Sequence, residues 1–152
     1  MKFNFIRNEK SSYYEVTDDM ISQAENEMKL KLPNDLILFY REVGYGFLGS
    51  ENGNANRLMD PVSVCDFRLR QYDYEFFPDI HVYDSYEDGK LVFFEQNVQS
   101  LMSIEITDNE TSRIYYYDTV IANSLEEFMN NMANDEYYYF DIFEKDRKEK
   151  EA

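Results

Sequence analysis

The sequence contains no tryptophan, one cysteine, one histidine and three prolines among 152 residues. A single cysteine excludes an internal disulfide and agrees with a reducing compartment. One cysteine and one histidine are also too few for a conventional zinc site. Because Cys65 lies on the apolar face of a predicted helix, we interpret it as a buried, unreactive thiol rather than a nucleophile.

Long apolar runs are missing as well. No stretch approaches the roughly 20 apolar residues that a membrane span requires, and residues 1–10 lack the apolar core of a signal peptide. We therefore expect a cytoplasmic protein without membrane contact. The length predicts one domain over residues 1–152, with a charged tail at residues 145–152 that is expected to fray.

The sequence motifs of common enzyme classes are absent, including the P-loop, G-x-S-x-G and H-E-x-x-H. Residues Gly44–Gly49 do match G-x-G-x-x-G, but a dinucleotide site needs a strand before this motif and a helix after it. Here a predicted helix precedes it and a polar loop follows. The glycines are therefore interpreted as a helix stop and a short strand at Tyr45–Leu48. We expect no catalytic residues and no cofactor.

Basic residues are scarce: 15 lysines and arginines stand against 31 aspartates and glutamates, a formal net charge of −16. A chain this acidic repels nucleic acid and anionic membranes, and it attracts basic partners. Solubility alone explains an acidic composition equally well. The charge therefore favours a basic partner without identifying one.

Tyrosine is abundant, with 14 residues beside 12 phenylalanines. Tyrosines and acids are interleaved over residues 72–88 and again near residue 116. Exposed carboxylates with aromatic rings would imitate a nucleic-acid strand towards a basic protein; an ordinary solvated face is the alternative. The candidate partner-binding residues are Tyr72, Asp73, Tyr74, Glu75, Asp79, Asp84, Tyr86, Glu87, Asp88, Tyr115 and Tyr117.

A calcium site is a second interpretation of part of this region. Several positions of a calcium-binding loop are matched between residues 84 and 95, by Asp84, Asp88, Gly89, Leu91 and Glu95. However, Tyr86 occupies a ligand position, and the flanks are predicted to be extended rather than helical. A tight hairpin at Asp88-Gly89 explains the same residues.

The pattern of apolar residues predicts an α+β fold. Residues 17–43 form two amphipathic helices, with Thr17 as the first N-cap, and a short helix is expected at Pro61–Gln71. The second half predicts an antiparallel sheet whose Ser103 and Glu105 face solvent, followed by a helix that Ser124 caps. The predicted strands are Ile80–Tyr83, Leu91–Glu95, Leu101–Thr107 and Arg113–Asp118.

The Leu32–Asp35 corner between the first two helices resembles the signature of the SUKH superfamily (Smi/Knr-like proteins). The aromatic second helix with Phe39 and Tyr40 fits the same pattern, and residues 120–128 resemble the closing strand-to-helix segment of the family. The match is similar to that of the YobK-type immunity proteins, which are paired with toxins that carry an LXG secretion domain. Gly-Tyr-Gly at 44–46 replaces the usual Asn-Gly-Gly.

This resemblance implies a central antiparallel sheet packed against an N-terminal helix pair and a C-terminal helix. It also implies a non-enzymatic role, in which the chain binds and neutralises a cognate toxin, often a nuclease. Family members have no catalytic residues to transfer to this chain. A regulatory or scaffold module of the same fold is the alternative function.

Overall fold

The computed structural model describes residues 2–3, 5 and 10–151. Within these residues, seven strands form one antiparallel sheet in the order of the sequence, β1-β2-β3-β4-β5-β6-β7. The strands are β1 (Ser12–Tyr14), β2 (Tyr45–Leu48), β3 (Asn56–Leu58), β4 (Lys90–Gln96), β5 (Ser100–Glu105), β6 (Ile114–Tyr116) and β7 (Thr119–Ala122). The helices are α1 (Asp18–Met28), α2 (Asn34–Glu42), α3 (Pro61–Leu69), α4 (Leu125–Asn134) and α5 (Tyr138–Glu151). The predicted α+β class is confirmed.

The first two helices begin and end where the sequence predicts. The Thr17 side chain accepts a hydrogen bond from the backbone N–H of Met20 at 3.2 Å, which satisfies a donor in the first turn of α1. Helix α2 starts directly after Pro33, which serves as its N-cap. Its residues Leu36, Phe39 and Tyr40 are buried, and Phe39 packs edge-to-face on Phe3 with 4.9 Å between ring centroids.

The glycine turn after α2 is explained by the approach of β1. Gly44 and Gly46 have φ values of +113° and +145°, which disfavour other residues. A Cβ atom at either position would also lie less than 3.0 Å from a carbonyl oxygen of β1, on Tyr14 or Ser12. The G-x-G-x-x-G match therefore reflects close packing of two backbones, and the predicted strand at Tyr45–Leu48 is confirmed.

Helices cover the sheet on both faces at β3 and β4. Asn56 and Gln96 are cross-strand partners, and their side chains lie towards the junction between α4 and α5. The next pair, Arg57 and Glu95, lies on the opposite face because side chains alternate along a strand. There Arg57 donates a hydrogen bond to Ser63 of α3 at 2.8 Å. Both faces of the central strands are therefore packed.

This packing corrects the prediction of a half-solvated sheet. Met102 and Ile104 are buried as expected, but Ser103 between them is also buried, with 5% of its surface exposed. Its cross-strand partner Val92 is buried too. A second layer of structure covers this face of the sheet. It comes from another part of the chain, so the alternation of polar and apolar residues along β5 could not predict it. Glu105, at the end of β5, remains partly exposed and pairs with an arginine across the sheet.

A second correction concerns residues Ile80–Tyr83, which form a 3-10 helical turn rather than a strand. Ile80 and Tyr83 are buried whereas Val82 is 49% exposed, so the inward positions are three residues apart instead of two. The hairpin predicted at Asp88-Gly89 is also wrong, because a 3-10 turn and further turns, rather than a strand, lie directly before it. Instead β4 pairs with β3 and β5.

The chain ends with two helices. Helix α4 stops at Asn134, and α5 begins at Tyr138. Helix α5 continues to Glu151, and Lys150 forms ion pairs of 3.0 Å with Asp118 and with Asp146. The fraying expected at residues 145–152 stays a prediction. Across the described residues, none of the helices is both long enough and apolar enough to cross a membrane.

Candidate functional site

The strongest candidate site is residues 71–89, called here the acidic segment, which follow Arg70 in the connection between α3 and β4. It contains six acidic residues, one histidine and no lysine or arginine. Its backbone forms 3-10 turns at Tyr72–Tyr74 and Ile80–Tyr83, joined by other turns. The segment is therefore a structured surface element, long enough to present side chains to a partner.

Aromatic residues three positions apart hold the acidic segment on the protein. Phe67 of α3 contacts three of them edge-to-face: Tyr74 at 5.0 Å, Phe77 at 6.2 Å and Tyr83 at 6.0 Å between ring centroids. Ile80 occupies the remaining position of this series and is buried. Because residues i and i+3 eclipse one another in a 3-10 helix, this spacing places one side of the segment on the core.

The outer side of the acidic segment is aromatic and negatively charged. Phe76 is 87% exposed and Tyr72 is 76% exposed, the two largest values among the large apolar side chains of the described residues. The acids Asp73, Glu75 and Asp79 are also exposed. Within the part of the chain that the structure describes, the acids of this segment that form ion pairs are Asp84 and Glu87.

The structure places the predicted partner-binding residues in three groups, according to how exposed they are. Tyr74 and Glu87 are buried, with 7% and 5% exposed, so they support the surface from beneath. Tyr86, Tyr115 and Tyr117 are half-buried. The fully exposed members of the predicted set are Tyr72, Asp73, Glu75, Asp79, Asp84 and Asp88.

Tyrosine contacts join the acidic segment to the sheet. The ring of Tyr117, which follows β6, stacks on Tyr83 at 5.6 Å and meets Tyr86 edge-to-face at 5.3 Å. Tyr115 lies apart from these rings, beneath the Lys90 ammonium at 4.3 Å. That cation reduces the negative potential around Tyr115. The structure therefore brings Tyr86 and Tyr117 together with the segment and gives Tyr115 a separate environment.

Arginines from the end of α3 organise the C-terminal part of the segment. Arg70 binds Asp84 at 2.8 Å and Glu87 at 3.2 Å, and Arg68 lies 3.9 Å from Glu87. Hydrogen bonds from Arg70 and then His81 lower the pKa of Asp84. Glu87 behaves differently: burial raises its pKa to about 7, although both arginines oppose the shift. Its Oε1 atom accepts no hydrogen bond.

Glu87 is expected to make folding stability depend on pH near neutrality. Its folded pKa of about 7 exceeds the ordinary value of 4.5, so the folded state binds the proton more tightly. The resulting stability is complete below pH 4.5 and is lost as the pH rises through 7, by at most roughly 3 kcal/mol. Denaturant unfolding of the wild type and Glu87→Gln between pH 5 and 8 measures this.

Comparison of Glu87→Gln with the wild type isolates the titration of one carboxyl group among 31 acidic residues. Glu87→Gln should show the flatter profile, since glutamine does not titrate. The exposed neighbour Asp88 serves as the control, and Asp88→Asn should leave the slope between pH 5 and 8 unchanged. Parallel profiles for the wild type and Glu87→Gln would contradict the expected pH dependence.

The other candidate reactive groups are held by separate partners. Cys65 is buried, its thiol lies 3.3 Å from Glu27, and burial followed by that carboxylate raises its pKa to about 12. His81 is exposed and contacts Asp84 instead. Of the carboxylates in the calcium pattern, Asp84 binds Arg70, and Glu95 binds Arg57 at 3.1 Å. Among the described residues, no cluster of three or more metal-ligating side chains occurs.

Sequence reasoning missed a polar network at the opposite face of the sheet. The carboxylate of Glu136, in the α4–α5 connection, accepts hydrogen bonds of 2.6–3.0 Å from one side of a polar loop. Burial raises the pKa of Glu136, but these hydrogen bonds outweigh burial, and the net pKa is lowered. The sequence signal that could have predicted this network is the asparagine at every second position from residue 52 to residue 56. The donors are Ser50, Asn52, Asn54 and Asn56.

The SUKH_6 family model, described as SMI1-KNR4 cell-wall, matches residues 18–129. The chain belongs to the SUKH family. Its SUKH region runs from α1 into α4 and includes the acidic segment, so the predicted family is confirmed. The chain is also 48% identical, over 145 residues, to a protein named Immunity protein YxxD from Bacillus subtilis (strain 168). That similarity covers 95% of this chain and 99% of the relative.

The corner that carried the SUKH resemblance has a structural role in the fold. Asp35 is 1% exposed, and its Oδ2 atom accepts hydrogen bonds from the backbone N–H groups of Ser112 at 3.2 Å and Leu125 at 2.8 Å. The Lys2 ammonium lies 3.8 Å from the other oxygen. In this SUKH chain the corner therefore connects α2 to the start of α4 and to the loop before β6.

Proposed function

We propose that the chain is an immunity protein, which binds and neutralises a cognate protein toxin in the cytoplasm. The observation that carries this proposal is the 48% identity, over nearly the full length of both chains, to a protein named Immunity protein YxxD. Membership of the SUKH family supports the same role. The activity is binding rather than catalysis, since the thiol of Cys65 and the imidazole of His81 have separate partners.

The proposed toxin has a basic surface, and a nuclease domain fits this requirement because it must hold phosphates. The net charge of −16 favours such a partner electrostatically and disfavours direct binding of nucleic acid or anionic membrane. The acidic segment, together with Tyr117, is the proposed contact surface. Tyr115 lies apart from this surface, with the Lys90 cation above its ring.

Co-expression tests the proposal directly. The toxin encoded beside the gene for this chain should arrest growth when expressed alone, and the chain should restore growth when both are produced. A chain that is folded and abundant but gives no protection would contradict the immunity role and would favour the regulatory or scaffold module. Binding of the purified pair should weaken several-fold between about 50 and 500 mM salt, because salt screens the attraction between opposite surfaces.

A further inference from the structure

The two most exposed aromatic side chains of the described residues both belong to the acidic segment. Phe76 is 87% exposed, whereas its neighbour Phe77 packs on Phe67 and Tyr74. Tyr72, four residues earlier, is 76% exposed. Large aromatic side chains gain free energy when they leave water, and aromatic residues are enriched at the centre of protein interfaces. Each of these two rings therefore offers apolar area that a binding partner could bury.

The backbone beneath these rings is held in place. Tyr74, Phe77 and Tyr83 anchor the segment on Phe67 of α3. Tyr72 has a left-handed φ of 53°, a conformation that residues other than glycine rarely adopt. A surface that is ordered before binding loses less conformational entropy in the complex. The segment thus presents its rings on a preformed support.

The charges around the rings select the kind of partner. Asp73, Glu75 and Asp79 are exposed, and the ion pairs of the segment, among the described residues, use other acids. No lysine or arginine occurs between Arg70 and Lys90 to neutralise them. A second copy of the chain would bring identical acids together and be repelled, as would a nucleic acid or an anionic membrane. A protein with an apolar recess bordered by basic side chains is complementary.

We infer that Phe76 and Tyr72 are the anchor residues of the toxin interface, which enter an apolar recess that basic residues of the toxin surround. This inference rests on the proposed immunity function and adds the residues and the partner chemistry. Asp73, Glu75 and Asp79 then form the polar rim of the interface. The rim attracts the basic toxin and accelerates encounter, while burial of the two rings slows dissociation.

The first test replaces the larger anchor. Phe76→Ala should weaken binding to the purified toxin domain encoded beside the gene by at least about 30-fold, mainly through faster dissociation. Isothermal titration and surface plasmon resonance measure the affinity and the rates. Because the side chain is exposed, the thermal midpoint should change by no more than about 2 °C. Tyr72→Ala should act in the same direction.

Leu38→Ala is the matched control, since Leu38 is an exposed apolar residue on α2. It should change the affinity by less than about threefold. If the wild type binds the toxin domain and Phe76→Ala binds equally well, the anchor inference is overturned while the immunity function stands. If the wild type itself fails to bind, the proposed function fails. A wild-type dimer that Phe76→Ala dissociates would also overturn the inference, in favour of a second copy.

The rim has a different expected signature. The double variant Asp73→Asn/Glu75→Gln should slow association by about three- to tenfold at low salt and leave the dissociation rate nearly unchanged. The salt dependence of association should fall in parallel. If the double variant also dissociated several-fold faster, the division between anchor residues and rim residues would be contradicted.

Discussion

Asp35→Ala is expected to destabilise the fold by about 4 kcal/mol, because it leaves two buried backbone N–H groups without an acceptor. One donor is Leu125, the first residue of α4, and the other is Ser112 before β6. The carboxylate thus connects elements that are 77 and 90 residues away in sequence. Its loss should weaken the junction of α2, α4 and the sheet rather than one local turn.

Thermal unfolding should show the change as a decrease in melting temperature of about 10 °C. Asp35→Asn retains one acceptor oxygen, so its effect should be intermediate. Asp108→Ala is a suitable control, since this exposed turn residue uses its backbone carbonyl rather than its carboxylate to contact Asn34. A loss below about 1 kcal/mol for Asp35→Ala would show that water replaces the carboxylate at both donors.

Glu136→Ala is expected to have the next largest effect, a loss of about 3 kcal/mol, because hydrogen bonds to charged groups are stronger than neutral ones. The Glu136 carboxylate connects the 50–56 loop to the α4–α5 junction. Without it, the asparagines of the loop lose their shared acceptor. In the variant, amide hydrogen exchange should therefore accelerate more in residues 50–56 than in β4 or β5.

The pH dependence of this network has the opposite sign to that of Glu87. The folded pKa of Glu136 is lowered from 4.5, so its contribution is present above that value and is lost as the pH falls further. Glu136→Ala should reduce the difference in stability between pH 7 and pH 3. Glu144→Ala, at an exposed position of α5, is the control and should change stability by less than about 0.5 kcal/mol. Unchanged exchange rates in the loop would contradict the proposed connection.

The sequence predicted the helices and strands whose sequence signals lie within or directly beside the element itself. Caps at Thr17 and Ser124 give helix starts that the structure confirms. The apolar runs give β4, β5 and β6 at nearly the correct boundaries. Strand β1 was missed because it is only three residues long and pairs with a glycine-rich strand. Whether Ser103 faces solvent depends on a covering layer from another part of the chain, so alternation along one strand cannot settle it.

The sequence predicted which region contains the candidate site, but not which of its side chains are exposed. Composition identified the acids and tyrosines of residues 72–88. It could not separate buried Tyr74 from exposed Tyr72, because that depends on a three-residue spacing set by contacts with Phe67. Phe76 was omitted from the predicted set because a phenylalanine usually belongs to the core. Its exposure follows only once the spacing of the anchoring residues is known.

The order of the sheet also affects how the molecule resists aggregation. Both edges of the described sheet are short: β1 has three residues and β7 has four. Exposed edge strands can recruit further strands and extend into fibrils, and short edges offer few free backbone groups for this. Helix α5 lies beside β7, and the net charge of −16 adds repulsion between copies. The short edges and the shared negative charge therefore both act against edge-to-edge stacking of copies of the protein.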